Sequence, residues 1–164
     1  MRLERKASPV NEFTSLASEL METFSVDHVI FAQIQDAVAD LLKADHNTAN
    51  HHMKRLAHLL HSDPLNELSS ALKADVDFDQ WMEKGLATST NSVGSSYLEV
   101  PIEEKSRFGL IISMIDYCAE SEHGIKSLSY EFFYAGNDVD QNVRSMTMKL
   151  LNPFCRDYIA YAQK

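Results

Sequence analysis

Residues 102–120, Ile-Glu-Glu-Lys-Ser-Arg-Phe-Gly-Leu-Ile-Ile-Ser-Met-Ile-Asp-Tyr-Cys-Ala-Glu, decide the fold class. At the helical period of 100° per residue, Phe108, Ile111, Ile112 and Ile115 fall on one side, and Leu110 and Met114 on another. A helix that is apolar nearly all round needs neighbours on every side, so it belongs at the centre of a bundle.

The segments on either side also read as helices. Pro9 follows Ser8, an N-cap residue before a proline at the first helical position, and the helix it opens runs to about residue 24. Val10, Phe13, Leu16, Ala17, Leu20, Met21 and Phe24 lie within roughly 140° of arc, an apolar stripe that would face a core. Ser25 or Asp27 can cap a second helix to about Lys43, antiparallel to the first, with Val29, Ile30, Ile34, Val38, Leu41 and Leu42 as its buried set. A third helix, capped by Asn47 or Asn50, reaches His61, and Asp63-Pro64 starts a short fourth through Leu72. Asp77 or Asp79 begins another, with Trp81, Met82 and Leu86.

Residues 87–99 are rich in Ser and Thr and read as a surface loop, with Tyr97 to Val100 as a brief extended segment before Pro101. Past the central helix, His123-Gly124 is its expected terminator. An aromatic helix from Leu128 to Ala135 ends at Gly136, and Asp138 caps the last one. There Val143, Met146, Leu150, Phe154, Tyr158 and Tyr161 keep one phase across Pro153, which predicts one kinked helix. The expectation is an all-α protein, a single domain over residues 1–164 forming a compact bundle of six to eight helices with one irregular Ser/Thr-rich loop near residues 87–100.

Composition bounds the function. The 164 residues are 45% hydrophobic and 24% charged, with a formal net charge of −9. That charge repels nucleic acid, and the six Arg and nine Lys are scattered, with Arg2, Arg5 and Lys6 as the largest basic cluster. No secretory signal follows the charged N-terminus, and the longest apolar run, residues 109–115, is too short to span a bilayer. Cys118 and Cys155 sit in helical patterns as small reduced core residues. A cytoplasmic protein without membrane partners is the expectation. The chain stops at Ala162-Gln-Lys with no clear terminator, which leaves room for a longer protein.

Candidate chemistry is sparse. Five of the seven histidines lie between His46 and His61. His51 and His58 share a helix face, but neither His-x-x-x-His nor His-Glu-x-x-His occurs, so a solvated face outweighs a metal site there. No Gly-rich phosphate loop or dinucleotide fingerprint is present, and no cofactor is expected. Gly94-Ser95-Ser96 lacks the second Gly of a nucleophile elbow. Glu103 and Glu104, at a helix start, answer the helix dipole rather than serve as an acid–base pair.

Arg55 and His61, with five residues between them, resemble the Arg-x4–6-His pattern of the HEPN helical ribonucleases. The resemblance implies a His and an Arg acting on an RNA phosphate at a dimer interface. The sequence departs from that pattern at Leu56, where the family often has a polar residue, and on an ideal wheel Arg55 and His61 lie about 120° apart. A second resemblance covers about a dozen residues. Pro153-Phe-x-Arg-Asp-Tyr-x-x-Tyr161 looks like a closing-helix pattern of helical bacterial proteins with no assigned function, and it implies no activity.

Aromatic residues crowd the C-terminal third, where Phe132, Phe133, Tyr134, Phe154, Tyr158 and Tyr161 suggest an interface with a second copy or another protein domain, since Tyr and Phe are enriched in interface cores. The leading expectation is a non-enzymatic helical interaction module that forms a homodimer or higher homo-oligomer. The alternatives are an HEPN-like ribonuclease using Arg55 and His61, and a small-ligand binder with its pocket near Trp81 and Tyr97.

Overall fold

A computed structural model describes residues 9–90, 96–121 and 123–164, and the side chains of these except at positions 9, 10 and 20–27. The described chain is all-helical. In order it forms α1 (Pro9–Lys43), α2 (Ala49–Leu60), α3 (Asn66–Ala74), α4 (Phe78–Ala87), α5 (Glu104–Glu120), α6 (Gly124–Phe132), α7 (Val139–Met146), a π-turn (Thr147–Leu151) and α8 (Asn152–Ala162).

The central position of α5 follows from its composition. Every residue from Phe108 to Ile115 is buried, because α2 and α3 pack on one flank while α4, α6 and α8 reach it from others. Its start is held by Glu103, whose carboxylate accepts the backbone N–H groups of Lys105 (3.2 Å) and Ser106 (2.7 Å). Those bonds hold the Glu103 carboxyl below its ordinary range, Ser106 being the main cause. Asp77 and Asp138 cap α4 and α7 in the same way, accepting from Gln80 N and Asp140 N at 3.0 Å each.

The aromatic residues of α8 close onto Phe108. Its ring meets those of Phe154, Tyr158 and Tyr161 edge-on, with centroids 5.9, 5.8 and 5.5 Å away. Such pairs add about 0.5–1.5 kcal/mol each beyond area burial. Helical backbone runs without a break from residue 139 to 162, as the phase of the stripe predicts, and Pro153 falls in the first turn of α8, just after the π-turn. In an unbroken α-helix the Pro153 ring would meet the carbonyl of Lys149, which here lies inside the wider π-turn.

Several local expectations are corrected. Residues 9–43 form one helix, not two antiparallel ones: no Gly or Pro interrupts positions 10–43, and Ser25 and Asp27 are tolerated inside a helix. The stripe at its start does not face the core either. Residues 11–19 are exposed throughout, Phe13 at 79% and Leu16 at 57%, and the buried positions described in α1 begin at Ile30. The roles expected of Val10, Leu20, Met21, Phe24 and the Ser8 cap lie outside the described residues, as do residues 91–95 of the expected Ser/Thr-rich loop.

Neither Asn47 nor Asn50 caps α2. Asp45 instead accepts from the N–H groups of Asn47 and Thr48, both at 2.9 Å, in the preceding turn. The Asp63-Pro64 peptide is cis and lies in the link before α3, which begins at Asn66. Gly124 opens α6 rather than closing α5, and the aromatic helix spans Gly124–Phe132 rather than 128–135. A Cβ at Gly124 would stand 3.2 Å from the Cα of Cys118, so the small residue permits the sharp return from α5 into α6.

Candidate functional site

Arg55 and His61 both leave α2 or its C-terminal cap, but each is engaged by a different helix. The Arg55 guanidinium donates to Asp40 Oδ2 of α1 at 2.9 Å. His61 Nε2 lies 2.8 Å and 3.1 Å from the two carboxylate oxygens of Asp116 on α5. Lys73, in the last turn of α3, donates to the same Asp116 carboxylate. Asp116 is thus a hub on which the ends of α2 and α3 converge, its side chain 13% exposed.

Asp116 was not among the candidates read from the sequence, although a signal for it exists. It is the sole charged residue between Phe108 and Ala119. A charge in an otherwise buried stretch needs a partner, because leaving it bare costs several kcal/mol, on the order of the penalty for any buried unpaired ion. The partners themselves, 43 and 55 residues away in sequence, could not be read from spacing.

The other candidate residues separate by burial. His51 and His58 are exposed on one face of α2, and among the described residues no three His, Cys, Asp or Glu side chains are placed to hold a metal ion. Cys118 and Cys155 are free and buried, and burial pushes their thiols up to about 12 and about 11, away from nucleophilic use. Phe154 and Tyr158 are 2% and 0% exposed, which corrects their assignment to a surface: they fill the core around Phe108. Phe132, Phe133 and Tyr161 are half-buried against that core, and Tyr134 donates its hydroxyl to Asn137 at 2.8 Å. Arg156 and Asp157 pair side by side at 2.9 Å on the exposed rim of α8.

Trp81 and Tyr97 come together. They line one cleft of about 390 Å³ between α4 and the segment 96–101, together with Lys84, Thr88, Glu99 and Pro101. The Trp81 indole N–H donates to the carbonyl of Glu99 at 2.7 Å, and Thr88 Oγ1 accepts the Tyr97 N–H at 2.7 Å. Those two bonds tie the segment to α4. Gly85 makes the approach close, since a Cβ there would sit 2.5 Å from Leu98 Cδ2 and 3.1 Å from the Phe132 ring. Tyr97 itself is 66% exposed at the mouth. Lys84 and Glu99 carry the charges of the cleft and were not among the sequence candidates. On their own, an exposed Lys and Glu read as ordinary solvated residues.

Comparison with known proteins gives one relation. The chain is 30% identical over 134 residues to the uncharacterized protein YuaY of Escherichia coli (strain K12), an alignment that takes in 82% of this chain and 44% of that protein. The chain therefore spans less than half the length of that relative. The name of this bacterial relative assigns no activity, so the similarity transfers none. No family model matches the chain, and no solved structure matches it. Among the described residues no helix is long and apolar enough to cross a membrane.

Proposed function

We propose that this protein is a non-enzymatic helical interaction module that associates with a second copy of itself through the first half of α1. The observation that supports this is the exposed apolar face of that half-helix: Phe13, Leu16 and Ala17, at positions i, i+3 and i+4, share one side and are exposed among the described residues. Monomeric proteins keep large apolar side chains singly scattered, and a row of them along one helix is an association surface. In sequence the row continues through Leu20, Met21 and Phe24.

A second copy is the favoured occupant on charge grounds. Arg2, Arg5 and Lys6, with the single acid Glu4 among them, precede Glu12 and Glu22. Two such segments laid antiparallel about a two-fold axis set the basic end of each against the acidic end of the other. The contact differs from the aromatic C-terminal one that composition suggested, because Phe154 and Tyr158 are committed to the core.

Light scattering after gel filtration measures the point directly. The wild type should run at twice the 18.6 kDa chain mass, and Phe13→Glu with Leu16→Glu should halve that mass while the helical circular dichroism stays unchanged. A wild type that stays monomeric at high concentration rules the proposal out. The ribonuclease alternative draws on the hold of Asp116 on His61, which fixes an imidazole as a base would need. It requires RNA cleavage that Arg55→Ala abolishes.

A further inference from the structure

We propose that the cleft between α4 and the segment 96–101 binds a small aromatic zwitterion of the α-amino-acid class. The inference is independent of self-association through α1. It begins with the walls: the Trp81 indole, the Tyr97 ring and Pro101 supply flat apolar surface around about 390 Å³, within the usual range for small-ligand sites. The indole is fixed rather than free to swing, because its only donor is spent on the Glu99 carbonyl at 2.7 Å. A ring of similar size can lie against such a wall without ordering it first, which lowers the entropy cost of binding.

Charge narrows the ligand further. Lys84 and Glu99 line the same cleft, one of each sign, and neither takes part in an ion pair with the other or with any described residue. An anionic ligand would gain from Lys84 and be repelled by Glu99, and a cationic one the reverse. A molecule that carries both signs gains from both. An ammonium for Glu99, a carboxylate for Lys84 and an aromatic ring for Trp81 and Tyr97 together describe an aromatic amino acid. A residue within a peptide chain has neither terminal charge and matches only the ring wall.

Trp81 is the sole tryptophan, so its emission reports on this cleft alone. L-phenylalanine, which adds no indole of its own, should give a saturable change in that emission and a shift of the Trp81 indole N–H resonance in NMR spectra. The uncharged N-acetyl-L-phenylalaninamide and the ringless L-serine should each bind at least about tenfold more weakly, roughly the loss of one to two modest contacts. Lys84→Gln and Glu99→Gln, at exposed positions that leave the fold intact, should each weaken L-phenylalanine about three- to fivefold. Three results would overturn the proposal: neither signal responding to L-phenylalanine up to about 10 mM, the neutral amide binding as well as the zwitterion, or both charge variants binding as the wild type does.

Discussion

The hydroxyl groups of Ser69 on α3 and Tyr158 on α8 meet at 2.7 Å in the interior, 89 residues apart in sequence and both with no exposed surface. Among the described residues this is the one side-chain hydrogen bond between α3 and α8, and burial sets its terms. A hydroxyl left there without a partner would lose its hydration and gain nothing.

Tyr158→Phe should therefore destabilise the protein by about 1–2 kcal/mol, because it strands the Ser69 hydroxyl while keeping the ring stack on Phe154. Ser69→Ala with Tyr158→Phe should cost less than the sum of the two single changes. Urea denaturation of the four proteins gives the coupling directly, and additive losses would show that the two hydroxyls do not depend on one another.

Gly109→Ala sets helix propensity against space. In an open helix the change would stabilise by about 1 kcal/mol. Here the new Cβ would stand 2.2 Å from the carbonyl oxygen of Leu72, a backbone atom that cannot swing aside. Forcing α3 and α5 apart should outweigh the propensity and cost about 2–3 kcal/mol. A denaturation midpoint at or above that of the wild type would mean that the two helices can separate freely.

Asp116→Ala removes the hub shared by His61 and Lys73, and a loss of about 1–3 kcal/mol is expected, with His61→Gln losing less. In a double-mutant cycle the Asp116 and His61 changes should be non-additive. The urea denaturation midpoint of each variant measures the loss, and strictly additive changes would show that His61 does not depend on Asp116.

Stability should fall in alkali, and the sign follows from burial. Cys118 and Cys155 ionise at about 12 and about 11 in the folded chain against an ordinary 9.0, and burial also raises Tyr158 above its ordinary 10.0. Groups raised on folding contribute their full stability below the unfolded value and lose it as the pH climbs toward the folded one. The decline should begin near pH 9 at up to about 1.4 kcal/mol per pH unit for each thiol. Urea midpoints in reducing buffer between roughly pH 8 and pH 11 measure it, and Cys155→Ala should make the decline shallower.

What the sequence made legible was local. The all-round apolar run of α5, the cap Asp138, a cap at Asp77 or Asp79 that the fold resolves to Asp77, and the phase of the stripe across Pro153 all depend on residues within a few turns of one another. Continuity at Ser25 and Asp27 was not legible, because residues that favour a cap also sit inside helices when a neighbouring turn carries them. Nor was the partner of Asp116, the closeness of Gly109 to Leu72, or the meeting of Ser69 with Tyr158, each of which depends on where distant segments fold. In the cleft, the aromatic walls could be anticipated from Trp81 and Tyr97, whereas Lys84 and Glu99 acquire meaning only when the segment 96–101 lies against α4.

The π-turn makes chain length itself a determinant of the core. One residue more or less before Asn152 turns everything after it by about 100° around the helix axis. Deleting a residue within Thr147–Leu151 would leave composition, charge and apolar content almost untouched, yet it would swing Phe154 and Tyr158 off Phe108 and part Tyr158 from Ser69. A single missing residue ahead of α8 would thus displace every core contact of that helix at once, where a substitution within it disturbs one.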